Sequence, residues 1–266
     1  MATGKKRTLI ISAAAMAIAC TGLPALIAFA APAPQQPTAT APDTLIHAGR
    51  VLADPATGRV LTEQSILVRG GRIVSIAAGY AAPANGATVV DLKRSFVLPG
   101  LIDSHVHITG EQGPDSRVDE FIKTSADQAI DGAGFAVKTL NAGFTTVADL
   151  GADADAILAL RRGIATGIIP GPRIIASAGA ISVHGGHGDA NGMPRNMALI
   201  LRSPGVCSGA DDCARAVRER VRDGADIIKI TATGGVLSNT AAGLAQQFTD
   251  AELKSIVQAA HAMGRK

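Results

Sequence analysis

The segment VLPGLIDSHVH, residues 97–107, is an apolar strand that contains a Pro-Gly turn and ends in two histidines. Successive side chains of a strand point to opposite faces, so this spacing places His105 and His107 on the same face. Two neutral imidazoles in this arrangement suit Zn²⁺ or a similar divalent metal. A His-x-His pattern alone is a weak signal, but its position at the end of an apolar strand favours a metal site.

Residues 97–266 alternate between predicted strands and predicted helices, which indicates a parallel α/β architecture. The predicted strands cover residues 97–104, 144–148, 173–177 and 225–233, and the predicted helices cover 118–142, 153–166, 211–223 and 249–263. A closed (β/α)8 barrel takes about 250 residues, and about four strand–helix units are present here. We therefore expect the first half of a (β/α)8 TIM-type barrel, with functional residues at the carboxyl ends of its strands.

A small β module is predicted before the barrel, over residues 44–96. Its short apolar or alternating runs are separated by Gly, Asp, Pro and Asn, which are turn residues. The predicted strands cover residues 44–48, 65–68, 72–77 and 88–92. The pattern indicates part of a β-sandwich.

Composition and charge exclude two classes of protein. A hydrophobic content of 47% excludes a disordered chain. The formal net charge of +3 comes from Lys5, Lys6 and Arg7, because the remaining 22 basic residues balance 22 acidic ones. The chain therefore offers no basic surface for nucleic acid, and we expect no nucleic-acid partner.

Residues 1–30 are predicted to be a secretory signal peptide. Three basic residues precede an apolar run, which ends in the small-x-small pattern Ala28-Phe29-Ala30. Cleavage between Ala30 and Ala31 would place the protein in the periplasm or outside the cell. The alternatives are an uncleaved membrane anchor, since about 20 apolar residues can span a bilayer, and a lipoprotein attached at Cys20. Residues 31–43 are predicted to be a Pro/Ala-rich linker.

The two cysteines that follow the leader, Cys207 and Cys213, are close in sequence. In an oxidising compartment this spacing favours a disulfide across a short loop. The alternative is two free thiols at the start of a helix.

The predicted fourth strand, within DIIKITATGG at residues 226–235, places Lys229 among three isoleucines. An isolated ammonium group is costly to bury. The side chain could reach the barrel mouth or pair with an acid. Alternatively, a desolvated amine could react with CO₂ to form a carbamate, which is anionic and can bridge two metals.

These segments together resemble the amidohydrolase superfamily. The resemblance rests on the His-x-His strand, on Lys229 with the following Thr-Gly-Gly, on GFTTVAD at residues 143–149 and on GGHGD at residues 185–189. It is similar in particular to the branch of metal-dependent dipeptidases that act on Xaa-Pro or Xaa-Arg peptides, to which imidazolonepropionase is related. The likeness extends over nearly all of residues 44–266.

The resemblance implies a binuclear metal site. His105 and His107 would bind the more buried metal, and Lys229, as a carbamate, would bridge to a second; the expected cofactors are two divalent metal ions, with Zn²⁺ as the expected metal. A metal-bridged hydroxide would hydrolyse the C–N bond of a small peptide or amide, such as an Xaa-Pro dipeptide. The alternatives are a cyclic-amide hydrolase or a deaminase of the same superfamily, and a non-catalytic truncated product.

The same resemblance places the family's remaining site residues outside this chain. The catalytic Asp and two further His ligands are expected beyond Lys266, so we expect no catalytic residue within the chain and no activity from it alone. A homo-oligomer is compatible with the sequence, and a membrane contact is expected only through an uncleaved leader.

Three further polar residues have both a structural and a functional interpretation. His187 could orient the substrate or be an ordinary loop residue. Asp149 could contact a ligand-bearing side chain or hydrogen-bond to the local backbone. His261 is predicted on a helix face rather than at the end of a strand, which argues against a ligand role.

The first testable prediction concerns the leader. The exported protein should begin at Ala31 or within a few residues of it, because a signal peptidase requires small residues at the two positions that Ala28 and Ala30 occupy. The intact mass of the exported protein measures the cleavage position. Retention of residues 1–30 would contradict cleavage and favour the anchor.

Overall fold

The computed structural model describes residues 42–236, 240 and 243–266. The predicted signal peptide, its cleavage site at Ala30 and Ala31, and all but the last two residues of the predicted linker lie outside the described residues. None of the helices among the described residues is both long and apolar enough to cross a membrane.

The first sheet of the protein is built from four strands in residues 44–97. They are β1 (Thr44–Asp54), β2 (Arg59–Arg69), β3 (Arg72–Ala78) and β4 (Thr88–Val97). Their order is β3-β2-β1-β4, with β1 antiparallel to β2, β2 antiparallel to β3, and β1 parallel to β4. Ala48, Val51 and Ile66 form a small buried core on this sheet. All four predicted strands are present, and each is longer than its apolar run.

The second sheet carries the His-x-His segment. It consists of β5 (Leu101–Val106), β6 (Phe144–Asp149) and β7 (Arg173–Ala176), which are parallel and adjacent in that order. The helices that accompany it are α1 (Ser116–Ile122), α2 (Ser125–Asn141) and α3 (Ala154–Ala165). The parallel strands and their connecting helices confirm the predicted α/β class.

The predicted helix over residues 118–142 is wrong as a single element, because the chain forms α1 and α2 instead. The backbone at Lys123 is extended, with φ −91° and ψ 130°. Thr124 then caps α2, since its side chain accepts a hydrogen bond from the backbone N–H of Asp127 while the Asp127 carboxylate accepts one from the backbone N–H of Thr124. This capping box starts a new helix inside a continuous apolar pattern.

The region after β7 contains short elements that the sequence did not indicate. They are β8 (Ser182–Val183), α4 (Arg195–Ile200) and β9 (Val206–Cys207). The helices predicted over residues 211–223 and 249–263 follow as α5 (Ala210–Asp223) and α6 (Asp250–Ala262). Strands β8 and β9 are parallel neighbours. Two-residue strands have too little pattern to be found from hydrophobic periodicity.

The predicted fourth strand, residues 225–233, is not a regular strand. Ile230 forms only an isolated parallel bridge with Ile181, and the N–H of Asp226 donates to the carbonyl of Ala176 (2.8 Å). The neighbouring chain turns between these two contacts, where Ala178 has φ 53° and Gly179 has φ 101°. This turn interrupts the ladder, because left-handed residues cannot continue an extended strand.

Two buried clusters support the barrel part. Between β6, β7 and the helices α2 and α3, the cluster includes Ala136, Val147, Ile157, Leu160 and Ile174. Between α5 and α6, a second cluster includes Ile181, Val217 and Ile256 together with Cys207 and Cys213. The two cysteine sulfurs are bonded, with their Cα atoms 5.0 Å apart. This disulfide links β9 to the first turn of α5.

Glu252 joins the start of α6 to the turn before α5. Its carboxylate accepts hydrogen bonds from the backbone N–H groups of Gly209 (2.7 Å) and Thr249 (2.8 Å), and only 8% of the residue is exposed. The N–H of Thr249 is the largest of the causes that hold the pKa of Glu252 below its ordinary value.

Glu252→Ala should lower the free energy of unfolding at pH 7 by about 1–2 kcal/mol, since it leaves two backbone donors without their partner. Because the folded-state pKa is lowered, this contribution is present above the unfolded pKa of about 4.3. It is lost as the pH falls through the lower folded-state pKa. Denaturant unfolding at pH 7 and pH 3 measures the difference.

Asp250→Ala is the matched control for this second prediction. It removes an acidic residue from the same first turn of α6, but Asp250 is exposed and accepts only a 3.3 Å bond from the Gln246 side chain. Equal losses for the two variants at pH 7 would contradict the role assigned to the Glu252 hydrogen bonds.

Candidate metal centre

His105 and His107 lie together at the carboxyl end of β5. Their ring centroids are 5.5 Å apart, with the ring planes inclined at 61°, and both residues are exposed. Alternation along the strand produces this pair, because His105 is in β5 and His107 follows its last residue.

A hydrogen bond determines which nitrogen of His107 is available. Nδ1 of His107 lies 2.7 Å from the carbonyl oxygen of Gly151. A carbonyl oxygen only accepts, so Nδ1 carries the hydrogen and Nε2 keeps its lone pair. A backbone carbonyl bonded to the far nitrogen in this way is the usual arrangement of a metal-binding imidazole.

Asp149 fixes the backbone next to both partners of the hydrogen bond between His107 and Gly151. Its carboxylate is fully buried and accepts from the N–H groups of Ile108 (2.7 Å) and Gly151 (3.1 Å). Burial raises the pKa of Asp149, which outweighs the opposing effect of the two backbone donors. Among the described residues, both hydrogen bonds of this carboxylate are thus with backbone N–H groups. One belongs to Ile108, which follows His107, and the other to Gly151, whose carbonyl bonds to the His107 ring.

Lys229 contributes a positive charge beside His105. Partial desolvation is the largest cause that lowers the pKa of His105, and the charge of Lys229 is the next. A lowered pKa keeps the imidazole neutral over a wider pH range, which is the form that binds metal. Lys229 is half-buried, and no carboxylate among the side chains that the structure describes lies within ion-pair distance of it.

The centre requires Lys229 to be counted as a ligand. In the part of the chain that the structure describes, no group of three or more His, Cys, Asp or Glu residues is arranged to hold a metal. His105 and His107 with a carbamylated Lys229 would supply two nitrogens and an anionic oxygen donor, which suits Zn²⁺.

His187 lies on a neighbouring loop of the barrel mouth. Its backbone N–H donates to Oε1 of Gln247 (2.8 Å), and its exposed ring lies against Gly235, where a Cβ atom would be 2.3 Å from Cε1. The ring of His187 can occupy this position only because Gly235 has no side chain. This contact joins the GGHGD loop to the end of the segment that carries Lys229.

The remaining histidines have structural surroundings. Nδ1 of His184 lies 2.7 Å from the hydroxyl of Ser208. His47 is buried in the first sheet, with Nε2 2.9 Å from the carbonyl of Ala81. His261 is exposed on α6, as expected for a helix-face residue.

Comparison with known proteins adds the family to this geometry. Residues 96–266 match the Amidohydrolase family. The chain belongs to that family. Because the match covers both the His-x-His segment and Lys229, the resemblance inferred from the motifs is confirmed.

Three relatives of this amidohydrolase illustrate the range of similarity. The chain is 29% identical over 240 residues to ochratoxinase from Aspergillus niger, with 84% of the chain and 48% of the relative covered. It is 41% identical over 104 residues to dihydroorotase from Geobacter sulfurreducens, with 39% and 21% covered. The crystal structure of a Xaa-Pro dipeptidase with bound methionine superposes with a TM-score of 0.75 at 38% identity, covering 84% of the chain and 55% of that structure.

The amidohydrolase chain thus spans about half the length of the relatives it matches over most of its own length. The superposition confirms the predicted fold class, a partial TIM-type barrel preceded by a β module. The described elements correspond to part of the relatives' fold.

Sequence reasoning missed two residues of the centre. Gly151 was not identified, although it lies two residues after the end of β6, where a carbonyl can meet a side chain of the neighbouring strand. Gln247, which holds the His187 backbone, lies 60 positions away in sequence. Neither residue type is specific for a metal site, so only the fold reveals their roles.

The third prediction tests the contact between Gly151 and His107. Gly151→Ala should weaken metal binding by up to about 10-fold, the lower end of what partners of a metal ligand cost. The new Cβ would lie 3.0 Å from Cε1 and 3.3 Å from Nδ1 of His107, so the ring must move by a few tenths of an ångström. Competition with a chromophoric chelator measures the Zn²⁺ affinity.

Gly110→Ala is the matched control, because a Cβ at Gly110 would meet no atom within 4 Å. It should bind Zn²⁺ as the unchanged protein does. If Gly151→Ala also binds with unchanged affinity, the carbonyl of Gly151 does not set the position of His107.

Proposed function

We propose that the protein is a metal-dependent hydrolase of C–N bonds in small peptides or amides, with Xaa-Pro dipeptides as the preferred class of substrate. The observation that carries the proposal is the His105–His107 pair, with Nδ1 of His107 bonded to Gly151 and the charge of Lys229 beside His105. Similarity to a Xaa-Pro dipeptidase structure supports the substrate class.

Three residues would hold two divalent ions, for which Zn²⁺ is the proposed identity. Nε2 of His107 and the neutral ring of His105 are the nitrogen donors. The amine of Lys229 would react with CO₂, forming an N–C bond and releasing one proton, to give an anionic carbamate that would be the third group to hold the ions. When bound, divalent metals act as Lewis acids toward a carbonyl and lower the pKa of water.

The remaining residues of the centre would position these ligands and the substrate. Asp149 fixes the backbone at Ile108 and Gly151, so that the ring of His107 keeps one orientation. His187 is exposed on the loop that contacts Gly235, and its ring could donate a hydrogen bond to a substrate carboxylate or carbonyl oxygen. We assign it a role in substrate orientation.

A cyclic amide is the second candidate substrate. The similarity to dihydroorotase over 104 residues favours it, because the ring opening of a cyclic amide uses the same metal chemistry on the same type of bond. Turnover of linear dipeptides but not of cyclic amides would distinguish the first candidate from the second. Release of ammonia from an amino-substituted ring would instead indicate a deaminase, and metal binding without any turnover would indicate a non-catalytic product.

We also propose that the protein works in the periplasm or outside the cell. The predicted signal peptide supports this location, and a disulfide between Cys207 and Cys213 fits an oxidising compartment.

The fourth prediction tests the metal centre in the protein as its gene encodes it. His105→Ala and His107→Ala should each weaken Zn²⁺ binding by more than about 100-fold, above the range for partners of a ligand, because each removes a ligand itself. Hydrolysis of Xaa-Pro dipeptides should be lost with the metal. Lys229→Ala should behave in the same way, but a short carboxylic acid should partly restore it by replacing the carbamate.

Elemental analysis after dialysis and a dipeptide assay measure the two effects. His261→Ala is the control, since His261 lies on an exposed face of α6 and should leave both unchanged. Full metal content in the double variant of His105 and His107 would overturn the assignment of the centre.

A further inference from the structure

The segment that carries Lys229 is held by separate hydrogen bonds rather than by a strand ladder. Apart from the isolated bridge at Ile230, it lacks a regular ladder to its neighbour. The N–H of Ile181 donates to the carbonyl of Lys229 (2.8 Å), and the N–H of Thr231 donates back to Ile181 (3.0 Å).

The N–H of Ile228 donates to the carbonyl of Lys266 (2.7 Å). The carbonyl of Ala232 accepts the N–H of Gln247 (2.9 Å). The path of the backbone that carries Lys229 therefore depends on individual hydrogen bonds, including those at the start of the segment.

At the start of this segment, Asp226 makes two hydrogen bonds to Ala176 of β7 where a strand ladder would otherwise lie. Its N–H donates to the carbonyl of Ala176 (2.8 Å), and its Oδ2 accepts from the N–H of Ala176 (2.9 Å). Both backbone groups of Ala176 are thus bonded to one residue. The side chain fixes the register between the end of β7 and the segment of Lys229.

Arg161 of α3 holds the Asp226 carboxylate in place. Its Nη1 donates to the same oxygen, Oδ2 of Asp226, and also to the carbonyl of Gly224 (3.0 Å) at the end of α5. The side chains are 24% and 43% exposed, so the attraction between the two charges alone contributes little stability. The effect of this ion pair is instead to hold the Asp226 carboxylate in the position from which it accepts the N–H of Ala176.

The helix α3 is connected both to the histidine pair and to the segment that carries Lys229. It begins three residues after Gly151, whose carbonyl orients His107, and it carries Arg161, which holds the segment of Lys229. Asp226 bonds to Arg161 of α3, whereas the charge of Lys229 lowers the pKa of His105.

We propose that Asp226, with Arg161, is a positioning residue that sets the distance between Lys229 and the two histidines. This inference rests on the proposed metal centre. Asp226 is not among the proposed ligands, so its loss should act on formation of the Lys229 carbamate and on metal affinity. It should not remove a ligand.

The fifth prediction is that Asp226→Ala weakens Zn²⁺ binding by about 10-fold or more and reduces the carbamate signal at limiting bicarbonate. Isothermal titration with Zn²⁺ measures the affinity, and ¹³C NMR with labelled bicarbonate measures the carbamate, in the protein as its gene encodes it. Asp226→Asn should recover most of both, because an amide oxygen still accepts the N–H of Ala176. Arg161→Ala should be intermediate.

Asp223→Ala is the matched control. Asp223 is an acidic residue three positions earlier that pairs with Arg222 (3.0 Å), and its removal should change neither readout. If Asp226→Ala does not fold, as judged by circular dichroism, Asp226→Asn and Arg161→Ala decide the question.

Two different results would overturn the positioning role and the metal centre separately. If the unchanged protein gives a carbamate signal that Lys229→Ala removes, and Asp226→Ala or Arg161→Ala keeps full signal and affinity, the positioning role is wrong. If the unchanged protein neither binds Zn²⁺ nor gives a carbamate signal, the proposed metal centre itself is wrong.

Discussion

The buried carboxylate of Asp149 is the constraint on which the centre depends. It ends β6 and bonds to the backbone of Ile108, two residues beyond the end of β5. Its carbonyl accepts the N–H of Ser177, just after β7. One residue thus ties together the carboxyl ends of three parallel strands. A buried carboxylate without such partners would be strongly unfavourable, so this position requires backbone donors from its neighbours.

The same residue explains why the exposed ring of His107 keeps a defined geometry. Exposed imidazoles have little packing to fix them, and neither histidine belongs to a buried cluster. The orientation of His107 comes from Gly151, and that of Gly151 comes from Asp149. The buried carboxylate of Asp149 therefore fixes Gly151, and the carbonyl of Gly151 fixes the exposed ring of His107. Hydrogen bonds of this kind orient a metal ligand at the surface of a fold.

Local rules predicted much of this protein from its sequence. Alternation placed His105 and His107 on one face, and the helix predicted over residues 249–263 is present as α6 (Asp250–Ala262). The division between α1 and α2 was missed because both lie in one apolar pattern. The irregular path of residues 225–233 was missed as well, since it depends on a left-handed turn at Ala178 and Gly179 in the neighbouring chain.

The partners of the site residues were the least predictable part. Gly151, Asp226 and Gln247 act through hydrogen bonds to residues between 44 and 60 positions away. Glycine, aspartate and glutamine occur in many loops, so their types alone carry no information about such contacts. The metal-ligating residues have a recognisable pattern, whereas the residues that orient them are defined only by the folded chain.

The disulfide between Cys207 and Cys213 has a consequence for the route by which the chain matures. It closes a short loop, with the cysteines six positions apart, so loop-closure entropy contributes only about 2 kcal/mol. Both cysteines are fully buried, which means that an oxidant must act before α5 and α6 enclose them. The order of events during folding then matters: oxidation has to precede docking of the helices, and a chain that docks first would retain two inaccessible thiols.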